Sequence, residues 1–429
     1  MGERILNDCI GIISDVHVGS PGNPRLEDFD RDESFEFLLR DVLPGEAAGR
    51  KLTLIINGDF IDFPQIRPEL GKECPGERFG VTEEESVARV GDAIQGHPRV
   101  FGALRDFVGA GHQVLLMPGN HDIDLHFPGV LGAIRAALGN PGDPSFSFVA
   151  EGTIRERRIY VEHGNQYSYD NRFEHWSSPI VTDPEGKLRI ERPWGTMFMD
   201  LVYNDIEELY PFVNKVYPHG ALARIVARIV RDDPKVPLRA LAQLVAFLAS
   251  RGKRMIWEHL MGEEEPAAAR VTQTDVEAAV DALGEGMDPA RRAELIQQAA
   301  ALVGATDAPA VGSDGEEQER EEEQQQIEGL LGRTDEKGLR DRANDLLRSG
   351  TEDVVVFGHT HDPVDRTETL GGRTCRELNT GGWIPRILVP KGATPSLEGL
   401  AKMERMHELR YAWIELGGAS PTAALKQLG

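Results

Sequence analysis

Cysteine is scarce in this chain of 429 residues, which has only Cys9, Cys74 and Cys375. Three scattered thiols make neither a disulfide framework nor a cysteine-type zinc site. Such usage is typical of a reducing compartment, so we expect a cytoplasmic protein. No run of about 18 apolar residues occurs, and residues 1–7 lack the apolar core of a signal peptide. The sequence therefore predicts no transmembrane helix.

Positive charge is also in short supply, with 47 Lys and Arg against 71 Asp and Glu, for a formal net charge of −24. A nucleic-acid surface needs clusters of Lys and Arg, so nucleic acid is not an expected partner. A small phosphate-bearing substrate remains compatible, because bound metal ions can dominate the local field. Residues 313–328 hold eight acids and one Arg, and we interpret them as a solvated linker or exposed helix rather than a docking segment.

Two further features are missing. No internal repeat is evident, and no Ser or Cys motif of the nucleophile-elbow type occurs. The pattern therefore does not point to a covalent nucleophile. An apolar share of 40% is nevertheless enough for a sizeable core, in two or three domains or in one enlarged domain.

What the sequence does have is a series of apolar runs that alternate with helical patterns. The runs predict strands over Cys9–Ser14, Lys51–Ile56, Gln113–Met117, Phe146–Val149, Arg158–Glu162, Asp353–Phe357, Arg366–Leu370, Thr374–Leu378 and Arg410–Glu415. Helical periodicity appears over Ser34–Val42, Thr82–Val108 and within Gly129–Leu138. This alternation predicts an α/β layered core.

From about residue 169 to 350 the pattern is mostly helical, with capping signals at Thr274 with Glu277 and at Asp288-Pro289. We therefore expect a first core part at 1–168, a helical insertion at 169–350, and a second core part at 351–429. The insertion could cap a site or serve as a dimerisation or packing module. Within it, Leu222–Arg254 mixes apolar faces with Arg and Lys, so a peripheral membrane contact is an alternative to packing.

Short polar blocks follow, or nearly follow, five of the predicted strands. They read Asp15-Val16-His17, Gly58-Asp59-Phe60-Ile61-Asp62, Gly119-Asn120-His121-Asp122, Glu162-His163-Gly164 and Gly358-His359-Thr360-His361. The carboxyl ends of strands are where open α/β sheets hold ligands. Divalent cations take carboxylate, carbonyl and imidazole ligands. Any one block could be a turn or a hydrogen-bonded core residue, but together they supply ligands for two metal ions.

The order and wording of the blocks resemble the calcineurin-like metallophosphoesterase superfamily. Its pattern is D-x-H, G-D-x-x-D, G-N-H-[DE], a later H, and G-H-x-H, and all five elements occur here in order, over about residues 8–165 and 351–384. The resemblance implies a four-layer αββα sandwich interrupted by the helical insertion. It also implies a dinuclear centre of divalent metals, with Mn²⁺ as the first choice and Fe, Zn²⁺ or Mg²⁺ as alternatives, because the set lacks a thiolate.

The same resemblance assigns roles to individual residues. The first metal would be held by Asp15, His17 and His361, the second by Asn120, His163 and His359, and both by Asp59 as a bridge. His121 would be a catalytic residue that faces the substrate phosphate and protonates the leaving group or stabilises charge, oriented by Asp62. A helix-capping acid is the alternative interpretation of Asp62.

The implied activity is hydrolysis of a phosphomonoester, phosphodiester or pyrophosphate by attack of a metal-bridging hydroxide. The alternatives are a nuclease of the same superfamily and a non-catalytic metal-binding scaffold. Residues 162–172 resemble the branch that includes UDP-2,3-diacylglucosamine hydrolases, although that hydrolase usually has Arg where this chain has His121. Arg172 is the candidate substrate contact, with a plain surface arginine as the alternative. The expected partner is a small phosphate ester or nucleotide-type substrate, and the insertion could also form a homo-oligomer.

Overall fold

The computed structural model describes most of the chain, in two compact units. The described ranges are 6–75, 78–142, 144–168, 170–217, 271–282, 287–304, 334–390, 395–418 and 420–429, with Ala242, Val245, Ala249 and Ala393. The first unit comprises Met1–Asp200, Asp335–Arg386 and Met406–Gly429, and the second comprises Leu201–Thr334 and Ile387–Arg405. The acidic tract 313–328 and nearly all of 222–254 fall outside the described residues.

The strands form two larger sheets and two smaller ones. They are β1 Cys9–Ile13, β2 Leu52–Asn57, β3 Phe79–Thr82, β4 Gln113–Met117, β5 Phe146–Phe148, β6 Thr153–Glu156, β7 Ile159–Glu162, β8 Ile180–Thr182, β9 Leu188–Glu191, β10 Val216–Tyr217, β11 Val354–Phe357, β12 Val364–Leu370, β13 Arg373–Asn379, β14 Ile387–Leu388, β15 Arg410–Glu415 and β16 Thr422–Gln427. The first sheet has the order β16-β15-β1-β2-β4-β5 and the second β12-β13-β11-β7-β6. The centre of each is parallel, since β1, β2, β4 and β5 run together, as do β7, β11 and β13.

The described helices of both units are numbered here in chain order. They are α1 Asp32–Phe37, α2 Leu43–Ala47, α3 Pro68–Lys72, α4 Glu83–Gly96, α5 Pro98–Gly109, α6 Pro128–Ala137, α7 Trp194–Phe198, α8 Asn204–Leu209, α9 Gln273–Ala282, α10 Pro289–Val303, α11 Thr334–Ser349 and α12 Leu397–Ala401. No helix among these described residues is both long and apolar enough to cross a membrane.

The two larger sheets of the first unit pack face to face through alternate residues of their strands. Ile10 and Ile12 of β1 share one buried cluster with Val354 and Val356 of β11, although more than 340 residues separate them. Successive side chains of a strand point to opposite faces, so the intervening residues face outward from this interface. Each large apolar side chain buried in this way stabilises the fold by about 1.5–3 kcal/mol.

The outward faces of both sheets are covered by helices. Val114 and Leu116 of β4 lie in a cluster with Val90 of α4 and Phe101 of α5. On the second sheet, the outward residues Tyr160, Val355 and Phe357 pack with residues of α11, which are Leu339, Ala343 and Leu346. The order helix, sheet, sheet, helix confirms the four-layer αββα architecture that the resemblance implied.

Two details of the sequence interpretation are wrong. The predicted helix over Thr82–Val108 is two helices, because Pro98 lacks an amide hydrogen and disfavours helical backbone at His97. The capping box of Thr82 and Glu85 that opens α4 is confirmed. Residues 180–191, predicted to be part of a helical segment, instead contain β8 and β9, which pair with each other, and β9 also pairs with β3.

The second unit contains α8, α9, α10 and α12 with the short parallel pair β10 and β14. Asp288 caps α10 through the N–H groups of Ala290 and Arg291, as the sequence predicts. The cap of α9 is Thr272 rather than Thr274, since Thr272 exchanges hydrogen bonds with Asp275. This unit starts later and ends earlier than the predicted insertion and takes in Ile387–Arg405. The domain boundaries and the role of the insertion stay predictions.

Candidate metal centre

The polar blocks come together because each follows a strand of the parallel part of a sheet. The loop after β1 is tied to the loop after β2, where the N–H of Asp15 donates to Gly58 O and that of His17 donates to Asp59 O. In the second sheet, Gly358 N–H after β11 donates to His163 O after β7. Both loops of each pair therefore lie at the carboxyl ends of the strands.

Five of the seven predicted metal ligands have left-handed backbone, which non-glycine residues rarely adopt. Their φ values are 53° for Asp15, 54° for His17, 50° for Asp59, 69° for His359 and 57° for His361. This conformation costs roughly 1–2 kcal/mol per residue. Such strain persists only where the surrounding structure imposes it, and it concentrates at functional sites.

Two glycines let the loops approach one another. Gly58 has a φ of 81°, and a Cβ there would collide with the ring of His163 and with Gly119. A Cβ on Gly119 would collide with the backbone and carboxylate of Asp59. Any larger residue at either position would push the ligand-bearing loops apart.

One cluster of ligand atoms is formed by Asp15, His17, Asp59 and His361, all within 4.8 Å of one another. Nε2 of His361 lies 3.4 Å from Oδ1 of Asp15 and 3.0 Å from Nε2 of His17. Nε2 of His17 lies 3.8 Å from Oδ2 of Asp59. Imidazole nitrogens and carboxylate oxygens thus converge on one point.

A second cluster is formed by Asp59, His163 and His359. Nε2 of His163 is completely buried and faces Oδ2 of Asp59 at 3.2 Å in a geometry that makes no hydrogen bond. Oδ1 of Asn120 joins this cluster, 3.0 Å from Nδ1 of His359. Asp59 belongs to both clusters. Its Oδ2 lies near a histidine of each, His17 and His163, while its Oδ1 accepts from the backbone N–H of His121.

These donors fit divalent metal ions. Carboxylate, imidazole and one amide oxygen, with no thiolate, form a set that Mn²⁺, Fe²⁺, Zn²⁺ and Mg²⁺ accept to different degrees. The unsatisfied Nε2 of His163 is the kind of buried polar atom that a cation would complete. The structure brings all seven predicted ligands together, while the role of each stays a prediction.

Ring orientation of the ligand histidines is set by partners behind them. Nδ1 of His163 donates to the Asn57 carbonyl at 2.8 Å, which directs Nε2 to Asp59. Nδ1 of His17 lies 2.9 Å from Oδ2 of Asp62, which directs its Nε2 to the first cluster. Carbonyl and carboxylate partners of this kind fix the tautomer of a metal-binding histidine.

Asp62 also holds His121, so it contacts two histidines rather than the one that the sequence predicted. Nδ1 of His121 lies 2.9 Å from Oδ1 of Asp62. Burial lowers the pKa of His121, but the carboxylates of Asp62 and Asp59 raise it more, to about 10. Burial raises the pKa of Asp62, and the two histidines lower it further than burial raises it. His121 is therefore held in its protonated form.

Asp122 has a structural role that the sequence interpretation missed. Its Oδ1 accepts from the N–H groups of Gly119 and Asp59, at 2.6 and 3.2 Å, and its Oδ2 accepts from that of Phe60 at 2.7 Å. Burial, together with the charge of Asp59, raises the pKa of Asp122 to about 7. Asp122 thus joins the two loops that carry Asp59 and Asn120. Its place as the last letter of G-N-H-D was the signal that could have found it.

Arg172, the predicted substrate contact, is exposed, and its backbone N–H donates to the Ser168 carbonyl. It does not belong to either ligand cluster. A substrate contact at Arg172 therefore stays a prediction.

Part of the chain is similar to a known protein family. Residues 10–205 match the family model of calcineurin-like phosphoesterases. The matched segment includes every predicted site residue of the first core part and ends before His359 and His361. No curated protein matches the chain.

Proposed function

With a calcineurin-like phosphoesterase domain at residues 10–205, the chain belongs to the metallophosphoesterase superfamily, and we propose that it hydrolyses phosphoesters with two divalent metal ions. The observation that carries the dinuclear proposal is the position of Asp59 in both ligand clusters. Asp15, His17 and His361 would bind one ion, and Asn120, His163 and His359 would bind the other. When bound, such ions lower the pKa of a nucleophilic water and neutralise charge on the phosphoryl oxygens.

His121 has the geometry of a proton donor to the leaving group. Its Nδ1 is held by Asp62, so Nε2 is the nitrogen available to a substrate. The two carboxylates that raise its pKa keep a proton on this ring at neutral pH. A positioned acid of this kind typically contributes about 10²–10⁴-fold to the rate. After donating its proton, the ring can recover one from solvent, because about one fifth of the side chain is exposed (19%).

The substrate would be a small phosphomonoester, phosphodiester or pyrophosphate, with nucleotide-type esters included. We propose Mn²⁺ as the first metal to test, because the ligand set is rich in oxygen and imidazole. A cytoplasmic location, a peripheral membrane contact and homo-oligomerisation through the insertion are further predictions. Arg172 is retained as a candidate contact with the substrate.

The test is hydrolysis of bis-p-nitrophenyl phosphate and p-nitrophenyl phosphate by protein loaded with Mn²⁺, Fe²⁺, Zn²⁺ or Mg²⁺. We expect turnover of at least one ester by the wild type and none above background by Asp59→Asn. Equal rates for the two proteins with every metal would refute the proposal. The ratio of the two rates separates diesterase from monoesterase activity. Salt-sensitive DNA binding would favour the nuclease alternative, and metal uptake without hydrolysis of either ester would favour the metal-binding scaffold.

A further inference from the structure

A small pocket lies beside the metal centre, within the first unit. Asn120 and His121 line it together with two buried arginines, Arg89 of α4 and Arg192. The space open to the centre of a water molecule is about 20 Å³, which suits one small polar group. Because His121 faces the leaving group in the proposed reaction, a group in this pocket would belong to the leaving group.

Arg89 has more donors than the protein uses. Its side chain is buried, with 3% of the residue exposed, yet it makes a single hydrogen bond, from Nη2 to the Arg67 carbonyl at 3.3 Å. Its Nε, also buried, has no partner. Guanidinium has five N–H donors, and burying the charge without partners is costly. Arg89 is therefore poised to donate to an oxygen atom that enters the pocket.

Acceptors line the same pocket. Oδ1 of Asp124 accepts from Ser86, and Oδ2 of Asp200 accepts from Arg192, while Oδ1 of Asp200 has no partner. Among the described residues, neither carboxylate comes within ion-pair distance of Arg89. The pocket thus contains an unpartnered donor, Nε of Arg89, and an unpartnered acceptor, Oδ1 of Asp200. They make no hydrogen bond to each other, although the charge of Arg89 opposes the rise that burial causes in the pKa of Asp124 and of Asp200.

This combination selects the chemistry of the occupant. Three carboxylates, those of Asp124, Asp200 and Glu191, line the pocket against the two arginines. An occupant must accept from Arg89 and donate to the unpartnered carboxylate oxygen of Asp200, and a fully ionised phosphate group has acceptors only. A hydroxyl group fits both requirements, because it accepts from Arg89 and donates to a carboxylate at once.

We propose that this pocket is a leaving-group subsite that binds a hydroxyl of a polyol, so that the substrate is a phosphate ester of a sugar or of a glycerol-like alcohol. The proposal rests on the proposed phosphoesterase function and specifies its substrate class. Arg89 would donate a hydrogen bond to the hydroxyl oxygen, and Asp124 or Asp200 would accept a hydrogen bond from the hydroxyl group. The other walls of the pocket are largely apolar and include Val81, Ile123 and Ile190.

The experiment compares two esters that differ only in the hydroxyl groups of the leaving group. The leaving group of glycerol 2-phosphate is glycerol, and that of isopropyl phosphate is propan-2-ol. We expect the wild-type, metal-loaded protein to favour glycerol 2-phosphate by about tenfold or more in kcat/KM, as a hydrogen bond to a charged group would allow. In Arg89→Met this ratio should fall to about one, and in Arg89→Lys it should be intermediate. Arg99→Met, an exposed arginine of α5 paired with Glu33, is the matched control and should keep the wild-type ratio.

Three outcomes would overturn the subsite. They are a wild-type ratio near one, a ratio that survives Arg89→Met, and a ratio that Arg99→Met changes equally. Any of them would leave the pocket as a site for a buried water only. If the wild type cleaves neither ester with any metal, the nitrophenyl esters alone decide the phosphoesterase function, and calorimetric binding of the two alkyl esters tests the subsite. Tighter binding of glycerol 2-phosphate that Arg89→Met abolishes would still support it, and equal affinities would refute it.

Discussion

Two groups of histidines and carboxylates in the described part of the first unit use their ring nitrogens differently. In the metal centre, Asp62 holds Nδ1 of both His17 and His121. In the second group, His97 stands between two acids, with Nδ1 3.1 Å from Asp32 and Nε2 3.3 Å from Glu27. We call this second group the His97 cluster.

The difference lies in the ring nitrogens. Both nitrogens of His97 are taken by carboxylates of the protein, so no lone pair is available for a metal ion. In the centre, one nitrogen of His17 and of His163 is held from behind and the other converges with its neighbours on a shared point. Burial and charge alone therefore do not identify a metal centre, whereas convergence of ligand atoms does.

The two groups also differ in backbone conformation. Five ligands of the centre have positive φ, and no residue of the His97 cluster does. The His97 cluster joins the loop before α1 to the junction of α4 and α5 in unstrained conformations. Of these two groups, only the metal centre carries such strain, although Ala48, Arg67, Asn140, Arg157 and Arg158 elsewhere in the chain also have positive φ.

The same substitution, Asp to Asn, in each group tests whether the two groups differ in function. Asp59→Asn should lower kcat/KM by about a thousandfold or more, since metal catalysis is worth several kcal/mol. It should also lower the bound metal measured by elemental analysis. Asp32→Asn, the matched control in the His97 cluster, should keep metal content and leave kcat/KM within about twofold. Comparable losses in both variants would mean that the two groups are not functionally distinct.

His121→Gln separates catalysis from metal binding within the centre. The variant should lose about 10²–10⁴-fold in kcat, because it removes the proposed proton donor, while elemental analysis finds unchanged metal. Esters with a good leaving group such as p-nitrophenol should be affected less than alkyl esters, because they need less protonation. A uniform loss on all esters, with metal lost as well, would instead make His121 a structural or ligand residue.

Asp62→Asn tests the double contact that the structure revealed. Losing a partner behind a metal ligand typically costs about 10–100-fold in affinity or activity. We expect both a lower kcat, through His121, and a weaker first metal, through His17. Activity measured against metal concentration separates the two effects. A change in kcat alone would limit the role of Asp62 to His121.

Metal binding should release protons. Burial lowers the pKa of His163, but Asp59 and Asp15 raise it more, to about 9 in the metal-free protein. A histidine binds a metal ion only in its neutral form, so at pH 7 the ion displaces this proton and metal affinity falls as the pH is lowered. Calorimetric titration in buffers of different ionisation enthalpy measures the number released. The same heat in every buffer would show that His163 is already neutral.

The smallest effect is expected from the His97 cluster, on stability. Burial lowers the pKa of His97, but Asp32 and Glu27 raise it more, to about 9, from an ordinary value of 6.5. Protonated His97 therefore stabilises the fold through Asp32 and Glu27. This contribution is fully present below pH 6.5 and is lost as the pH rises through 9. The melting temperature of the wild type should exceed that of His97→Gln by several degrees at pH 6 and by less at pH 9.5. A gap that does not shrink with pH would show that His97 contributes through packing.

Much of the core and of the candidate site could be predicted from the sequence. The strand Gln113–Met117 has the predicted bounds, and β1, β2, β7 and β11 are displaced by no more than one residue at either end. Asp15 and His17 follow β1 and have left-handed backbone, so the turn after the strand makes their side chains converge, a feature that the sequence pattern did not show.

Other features depended on contacts that no local pattern reports. The hydrogen bonds of Asp122 to two loops, the second contact of Asp62 and the pocket of Arg89 all join segments distant in sequence. The strands β8 and β9 were missed because their short runs look no different from a polar loop until they pair with β3.

The sequence by itself determined which residue types stand at the strand ends, because apolar alternation and the glycines beside the ligands are local properties. Only the tertiary structure decided which of them meet. Pairing β7 with β11 places His163 beside His359, almost two hundred residues later in the chain. That pairing follows from burying both sheets against each other, which depends on the whole core and on no single motif. The five polar blocks are thus a local feature of the sequence, and the metal centre is a product of packing.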